Sequence, residues 1–194
     1  MVRRACLLMF AVTFALASSS AHAATVFSAT LLGSNETPPN ASTATGTALV
    51  TLSGDTLSVT ETFSGLVGGA ASAAHIHCCD PPGIAAIVAV PFTGFPSATS
   101  GTYSNLFDLT LAATYNPVFI TNNGGTVGSA EAVLIAGLDS GLAYVNIHDA
   151  VFPSGEIRGQ LETPLPATLP LLASGLGALG MLGWRRKRKA HAVA

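Results

Sequence analysis

Apolar and polar residues alternate with a period of two along much of the chain between residues 24 and 163. The clearest example is a pair of segments, residues 47–52 and 56–63, separated by Ser53-Gly54-Asp55. Two alternating runs around so short a turn predict a β-hairpin. Four residues of the second segment share one face of its strand, namely Leu57, Val59, Glu61 and Phe63.

Several more segments have the length and composition of strands, and they are residues 26–32, 84–90, 103–111, 143–148 and 156–161. The last two are expected to pair as a hairpin around residues 152–155. Residues 126–138 differ, because their apolar positions recur at helical spacing. The pattern therefore predicts an all-β domain, an immunoglobulin-like β-sandwich or Greek-key barrel with one short helix.

The two ends of the chain do not follow this pattern. Arg3 and Arg4 precede a short apolar run, and Ala21-His22-Ala23 has the small residues of a cleavage site. Residues 1–23 are therefore predicted to be a secretory signal peptide, cleaved between Ala23 and Ala24. Residues 24–163 then form the domain, and residues 164–194 form a tail.

The tail has the features of a membrane anchor. Residues 165–184 carry no charge and are long enough to span a bilayer as a helix. A basic cluster follows at once, made of Arg185, Arg186, Lys187, Arg188 and Lys189. Positive residues stay on the cytoplasmic side, so the sequence predicts a transmembrane helix in the inner membrane with the domain outside the cytoplasm.

Charge separates the domain from its ends. All 10 acidic residues of the chain lie between Glu36 and Glu162, and Arg158 is the one Lys or Arg residue among them. Nucleic-acid binding requires basic residues that neutralise phosphates. The acidic domain therefore excludes nucleic acid as a partner.

The tail resembles a PEP-CTERM sorting signal. That family has a Pro-x-Pro motif, a hydrophobic helix and a terminal arginine cluster, and this chain has Pro164-Leu165-Pro166 before its apolar run. Leu165 stands where the family usually has Glu. The resemblance implies sorting by an exosortase, with release to the cell surface or the extracellular polysaccharide, and a plain transmembrane anchor is the alternative.

The domain is similar to the CHRD family, first described in chordin. The resemblance is carried by residues 32–40, 44–46, 63–66, 74–77, 141–148 and 152–161. It implies an immunoglobulin-like β-barrel. It implies no particular activity, because the family has no settled biochemical function.

Three histidines lie in the domain, and they are the main candidates for chemistry. His75 and His77 point to the same side of a strand, and His148 lies on a later strand. Three imidazoles suit zinc or copper, and nitrogens within about 4 Å of one another would favour a metal site. The alternative is a structural polar network with Glu36, Glu156 and Arg158, in which Arg158 pairs with a carboxylate.

Cys78 and Cys79 are adjacent and directly follow His77. Thiols outside the inner membrane tend to be oxidised. The pair could cross-link two chains, provide thiolate ligands beside the histidines, or remain as two thiols in a loop, and a bond between adjacent cysteines is an uncommon geometry.

Hydrolase and phosphate-binding motifs are missing from the sequence. We therefore expect a non-enzymatic exported module that acts at the cell surface, in adhesion or in the extracellular matrix. The alternative function is an extracytoplasmic metal-binding or redox protein that uses the histidines.

Overall fold

The computed structural model describes residues 24–164 and residue 181. This part of the chain is mostly β, as predicted, with a few short helices. The strands are β1 (Thr25–Leu32), β2 (Thr45–Ser53), β3 (Thr56–Ser64), β4 (Ala73–His77), β5 (Val88–Pro91), β6 (Gly101–Asp108), β7 (Tyr144–His148) and β8 (Ile157–Gln160). The α-helices are α1 (Pro117–Asn122) and α2 (Val127–Asp139), and two single 3-10 turns lie at Gly33–Asn35 and Ala112–Thr114.

The strands form one antiparallel sheet in the order β5-β4-β7-β8-β1-β2-β3-β6. The sheet curls strongly into a half-barrel. Phe92, which follows β5, stacks on Tyr103 and Phe107 of β6, with ring centroids 5.2 and 5.9 Å apart. Aromatic packing thus joins the two ends of the sheet. The immunoglobulin-like or Greek-key character of the fold stays a prediction.

The predicted hairpin is present as β2 and β3. Leu52 pairs with Leu57, and Gly54 occupies the turn with a φ of 56°, a conformation that glycine adopts without strain. Along β3, alternate residues from Leu57 to Phe63 are buried and the residues between them face outward or lie half-buried. The inward face therefore builds the core, as the alternation indicates.

Within residues 24–164, the structure has two α-helices where the sequence predicts one. Helix α2 is the predicted helix, and Thr126 caps it by accepting a hydrogen bond from the Ser129 backbone. Helix α1 was not predicted, because its six residues are too few to show a periodic pattern. Its start does carry a local signal, since Asn116 caps it and Pro117 occupies the first turn.

The predicted strand at residues 84–90 is only partly correct. Strand β5 begins at Val88, and residues 81–87 form a loop that crosses the face of β4. The first residues of the predicted strand do not pair with β4, because they follow Pro81, Pro82 and Gly83, which are unfavourable in a strand. This loop, the 81–87 loop, contributes directly to the site described below.

The predictions for the chain ends lie mostly outside the described residues. Ala24 and Pro164 are the exposed ends of the described segment. Within the described residues, no helix has the length and apolar composition needed to cross a membrane. The signal peptide 1–23 with Ala23, the motif residues Leu165 and Pro166, the transmembrane helix and the basic residues Arg185, Arg186, Lys187, Arg188 and Lys189 lie outside the described residues and stay predictions.

Candidate metal centre

The three domain histidines meet on two neighbouring strands. Strands β4 and β7 are antiparallel, and their register places His75 opposite Asn146 and His77 opposite Tyr144. His148 ends β7 opposite Ala73. Since side chains alternate along a strand, His75, His77 and His148 all project from the face opposite the core. We call these three residues the histidine cluster.

The ring nitrogens of the histidine cluster converge. One ligand nitrogen from each residue lies within 4.8 Å of the other two. The closest approach, 3.3 Å, joins His75 Nδ1 to His148 Nε2. Nitrogens bound at about 2 Å to a tetrahedral ion stand about 3.3 Å apart. The His75–His148 pair already has this spacing.

Backbone carbonyls contact one ring nitrogen of His77 and one of His148. His77 Nδ1 lies 2.8 Å from the Ala86 oxygen, and His148 Nδ1 lies 2.9 Å from the Pro153 oxygen. A carbonyl oxygen can only accept, so His77 Nδ1 must carry a proton, and its Nε2 presents a lone pair to the cluster, as in a metal-binding histidine. His148 has an acceptor oxygen at each ring nitrogen, so its contacts do not fix its tautomer.

His77 has a buried ring nitrogen without a hydrogen-bond partner in the described part of the chain. Its side chain is buried, and its Nε2 atom has no hydrogen-bond partner among the described residues. A buried polar atom without a partner costs about 1–3 kcal/mol. His148 Nε2 has Asn146 Oδ1 at 3.0 Å as a second neighbour. The cluster therefore concentrates acceptor atoms and offers few protons.

The electrostatics keep the cluster neutral. Burial, with smaller contributions from His148 and His77, lowers the pKa of His75 to about 4. Burial also lowers the pKa of His77 to about 4, against the raising effect of the Ala86 carbonyl. The pKa of His148 is lowered by burial, against the Pro153 carbonyl. All three side chains are thus neutral at pH 7, which is the form that binds metal ions.

Tyr144 and Arg158 pack in series against His77. This role of Tyr144 was not predicted from the sequence. The His77 and Tyr144 rings stack with centroids 4.6 Å apart. The Arg158 guanidinium carbon lies 3.3 Å from the Tyr144 centroid. The Tyr144 hydroxyl accepts a hydrogen bond from the backbone N–H of Ala86, the residue whose carbonyl contacts His77.

The predicted polar network of Glu36, Glu156 and Arg158 forms only in part. Arg158 donates to Thr37 Oγ1 and to the Ile84 carbonyl rather than to a carboxylate, and it fixes the 81–87 loop. Burial raises the pKa of Glu36 to about 7, against the charge of Arg158. Glu36 is thus the electrostatic partner of Arg158 in this network, without a direct hydrogen bond between them.

Glu156 belongs to a different cluster. Its carboxylate accepts hydrogen bonds from Ser42 Oγ and from the Val67 and Gly68 backbones. Burial and the neighbouring Asp149 carboxyl raise the pKa of Glu156. Burial raises the pKa of Asp149, but hydrogen bonds, among them one from Glu156, outweigh it and leave the value low. This pair fastens three loops beside the centre.

Cys78 and Cys79 are bonded to each other. Cys78 is fully buried in the core, on the opposite face of β4 from the histidine cluster. Both sulfurs lie against Gly137 of α2, where any Cβ would collide with them. The structure therefore brings the cysteines to the helix and does not bring them to the histidines.

Comparison with known proteins supports the domain assignment. The CHRD domain matches residues 27–161, which includes every strand of the sheet except the first two residues of β1. No curated protein and no solved structure matches the chain. A match over this length, which contains the whole histidine cluster and its supporting loops, shows that the chain belongs to the CHRD domain family.

Proposed function

We propose that this protein is an extracytoplasmic metal-binding module, and that the histidine cluster binds one zinc or copper ion. The observation that carries the proposal is the convergence of one ring nitrogen from each of the three histidines within 4.8 Å, with the Ala86 contact leaving the Nε2 lone pair of His77 unpartnered among the described residues. A purely structural histidine needs a partner at each buried nitrogen, and His77 Nε2 has none among the described residues.

The chemistry of the donors restricts the ion. Three neutral imidazoles suit zinc and copper, whereas calcium and magnesium require oxygen ligands. Copper(II) binds a given nitrogen site more tightly than zinc, so availability outside the cytoplasm decides which ion is bound. The ordering of the rings by backbone carbonyls, before any ion binds, favours tight binding.

Elemental analysis tests the proposal. The protein would be purified from the cell envelope without chelator, beside a His75→Ala/His77→Ala double variant and an Asp139→Ala control, which removes an exposed carboxylate at the end of α2. We expect one zinc or copper ion per chain in the wild type and the control, and none in the double variant. A folded wild type that takes up no metal even after dialysis against zinc and copper would refute the proposal.

The CHRD assignment suggests an extracellular domain module, and we propose the same location here. The signal peptide 1–23 and the tail 164–194 support export, with the inner membrane and an exosortase as partners. Mass spectrometry of the mature protein tests both ends. We expect an N-terminus at Ala24 and, if an exosortase acts, loss of Arg185–Lys189; a mass that retains residues 1–23 would contradict export by cleavage.

A second candidate function is attachment to extracellular polysaccharide, without enzymatic activity. An open groove of about 880 Å³ crosses the outer face of β8, β1, β2 and β3. Its lining is rich in hydroxyl and amide groups, including Thr30, Asn35, Thr47, Thr60, Thr62 and Gln160. Such groups can form hydrogen bonds with sugar hydroxyls.

Binding of the full chain to soluble polysaccharides tests this second function. Thr47 and Thr102 lie in one cross-strand row, but only Thr47 lines the groove. We expect Thr47→Glu to abolish retention on a polysaccharide column and Thr102→Glu to leave it unchanged. Equal retention of both variants would exclude the groove as the binding surface.

A further inference from the structure

We propose that the metal centre accepts a small monodentate anion from solvent, and that this ligand reaches the ion through a recess beside His75. This inference rests on the proposed metal site. It goes further, because it separates an ion that exchanges a ligand from one that only stabilises the fold.

The number of protein donors supports the first part. Among the described residues, the group able to hold an ion contains His75, His77 and His148 and no fourth His, Cys, Asp or Glu. The nearest cysteines in sequence are tied to each other on the core side. Structural zinc sites use four protein ligands, whereas sites that exchange ligands use three and take the fourth from solvent.

The shape of the surface supports the second part. A recess of about 320 Å³ opens beside β4 and the edge strand β5. Its lining includes His75, Ser72, Ala73, Pro91, Gly94 and Phe95. This volume lies at the small end of the range found for ligand pockets, about 300–1,000 Å³. His77 is 8% exposed and covered by the 81–87 loop, and of the two half-buried histidines, His75 and His148, only His75 lines this recess, so we infer approach from the His75 side.

The charge of the centre selects the class of ligand. Three neutral imidazoles would leave the whole charge of a divalent ion uncompensated at the site, because no carboxylate belongs to the group of described residues that could hold the ion. An anion would therefore gain more at the ion than a neutral ligand does. With an ion held by His75, His77 and His148, the exchange would break one bond from the ion to a water oxygen, form one bond to the anion and release the water. No electrons are transferred, so the step requires no further reactant.

Azide binding to the copper-loaded full chain tests the inference. Azide on copper(II) gives a charge-transfer absorption band, and we expect it to saturate at one azide per copper. Ala73→Leu narrows the recess from the strand side and should weaken azide binding at least about tenfold while one copper per chain is retained. Ala136→Leu, a matched change on the exposed face of α2, should bind azide as the wild type does.

Ser72→Phe provides a second test, because Ser72 is exposed in the recess and only its backbone contacts the His148 segment. It should weaken azide binding as Ala73→Leu does. Copper bound at one per chain with no azide band, or with equal azide affinity in all variants, would overturn this inference and leave the metal site standing. A chain that binds no copper would overturn this inference, and a chain that binds neither copper nor zinc would overturn the metal site as well.

Discussion

The curled sheet has two unlike halves. Strands β1, β2, β3 and β6 have eight or nine residues each, and most of their outward side chains face solvent. Strands β4, β5, β7 and β8 have four or five residues. In β7 and β8 both faces are covered, so that Asn146 and Arg158 are buried although they point away from the core. We call these the long half and the short half.

The difference shows where polar chemistry can be built. In the long half, outward threonines are hydrated, and a contact such as Thr47–Thr62 orders little else. In the short half, the 81–87 loop and the Pro153 segment cover the outward face, so its polar groups depend on partners within the protein. Backbone carbonyls supply one partner each for His77, His148 and Arg158, and the Ala86 carbonyl fixes the tautomer of His77.

Removal of Arg158 should test this contrast with the largest effect. Arg158→Ala removes two hydrogen bonds and a stacking contact from a side chain that is 3% exposed. We expect it to lower the free energy of unfolding by about 3 kcal/mol, because hydrogen bonds from buried charged groups contribute more than neutral ones. Thr47→Ala in the long half should cost about 0.5 kcal/mol or less.

Urea denaturation of both variants measures these differences. If both cost the same, the outward faces of the two halves would not differ in the way proposed. The slope of the transition should stay constant, since neither change alters the surface exposed on unfolding by much.

Glu61 is the exception in the long half, because it faces the core, is fully buried and has both carboxyl oxygens without partners among the described residues. Burial raises its pKa from 4.5 to about 8. The folded state thus keeps a proton that the unfolded state releases, and the free energy of unfolding should fall as the pH rises from about 4.5 to 8.

Glu61→Gln should remove this loss and be more stable than the wild type by about 2 kcal/mol or more at about pH 9. Below about pH 4 the advantage should vanish, because the wild-type carboxyl is protonated in both states. Glu162→Gln, at an exposed position, is the matched control. Thermal denaturation at a series of pH values would show the effect, and parallel curves for wild type and Glu61→Gln would contradict it.

Tyr144 lies in the short half, and the loss of its hydroxyl should have the smallest effect of the three changes. Tyr144→Phe retains the ring that stacks on His77 but removes the acceptor of the Ala86 N–H. We expect the metal dissociation constant to rise about tenfold, as for other groups that orient a ligand. Tyr115→Phe is the control, since its hydroxyl donates to the Leu109 carbonyl, away from the cluster.

A competition titration against a chelator dye measures both constants. A role in stability alone would give the two variants similar unfolding losses and unchanged metal affinity. That result would assign Tyr144 to the fold rather than to the orientation of His77.

The sequence predicts the long half better than the short half. Regular alternation of apolar and polar residues identifies β1, β2 and β3, and apolar residues at helical spacing identify α2. The alternation also places Glu61 on the core face, but it cannot show that its carboxyl group lacks a partner there. Strand β4 is too short and too mixed to stand out, although the His75-x-His77 spacing correctly puts both rings on one face.

The sequence predicts the residues of the candidate site but not the strand register and the loop contacts that position them. Three histidines on strands indicate a cluster, but the register of β4 on β7 is a long-range property. Arg158 was expected to pair with a carboxylate, and instead the 81–87 loop supplies a carbonyl. Loop conformation depends on what the loop covers, so a local pattern at residues 84–90 suggests a strand that begins four residues too early.

The backbone of Ala86 contacts two rings at once, because its N–H donates to the Tyr144 hydroxyl and its carbonyl accepts from His77 Nδ1. Two residues earlier, the Ile84 carbonyl accepts from Arg158. These contacts and the Pro153 contact to His148 all come from the main chain. Side chains in these loops can therefore change without removing the hydrogen bonds that orient the histidine rings. The contacts that orient the histidine rings thus depend on the backbone conformation of two loops. A comparison of residue identities alone would not detect them.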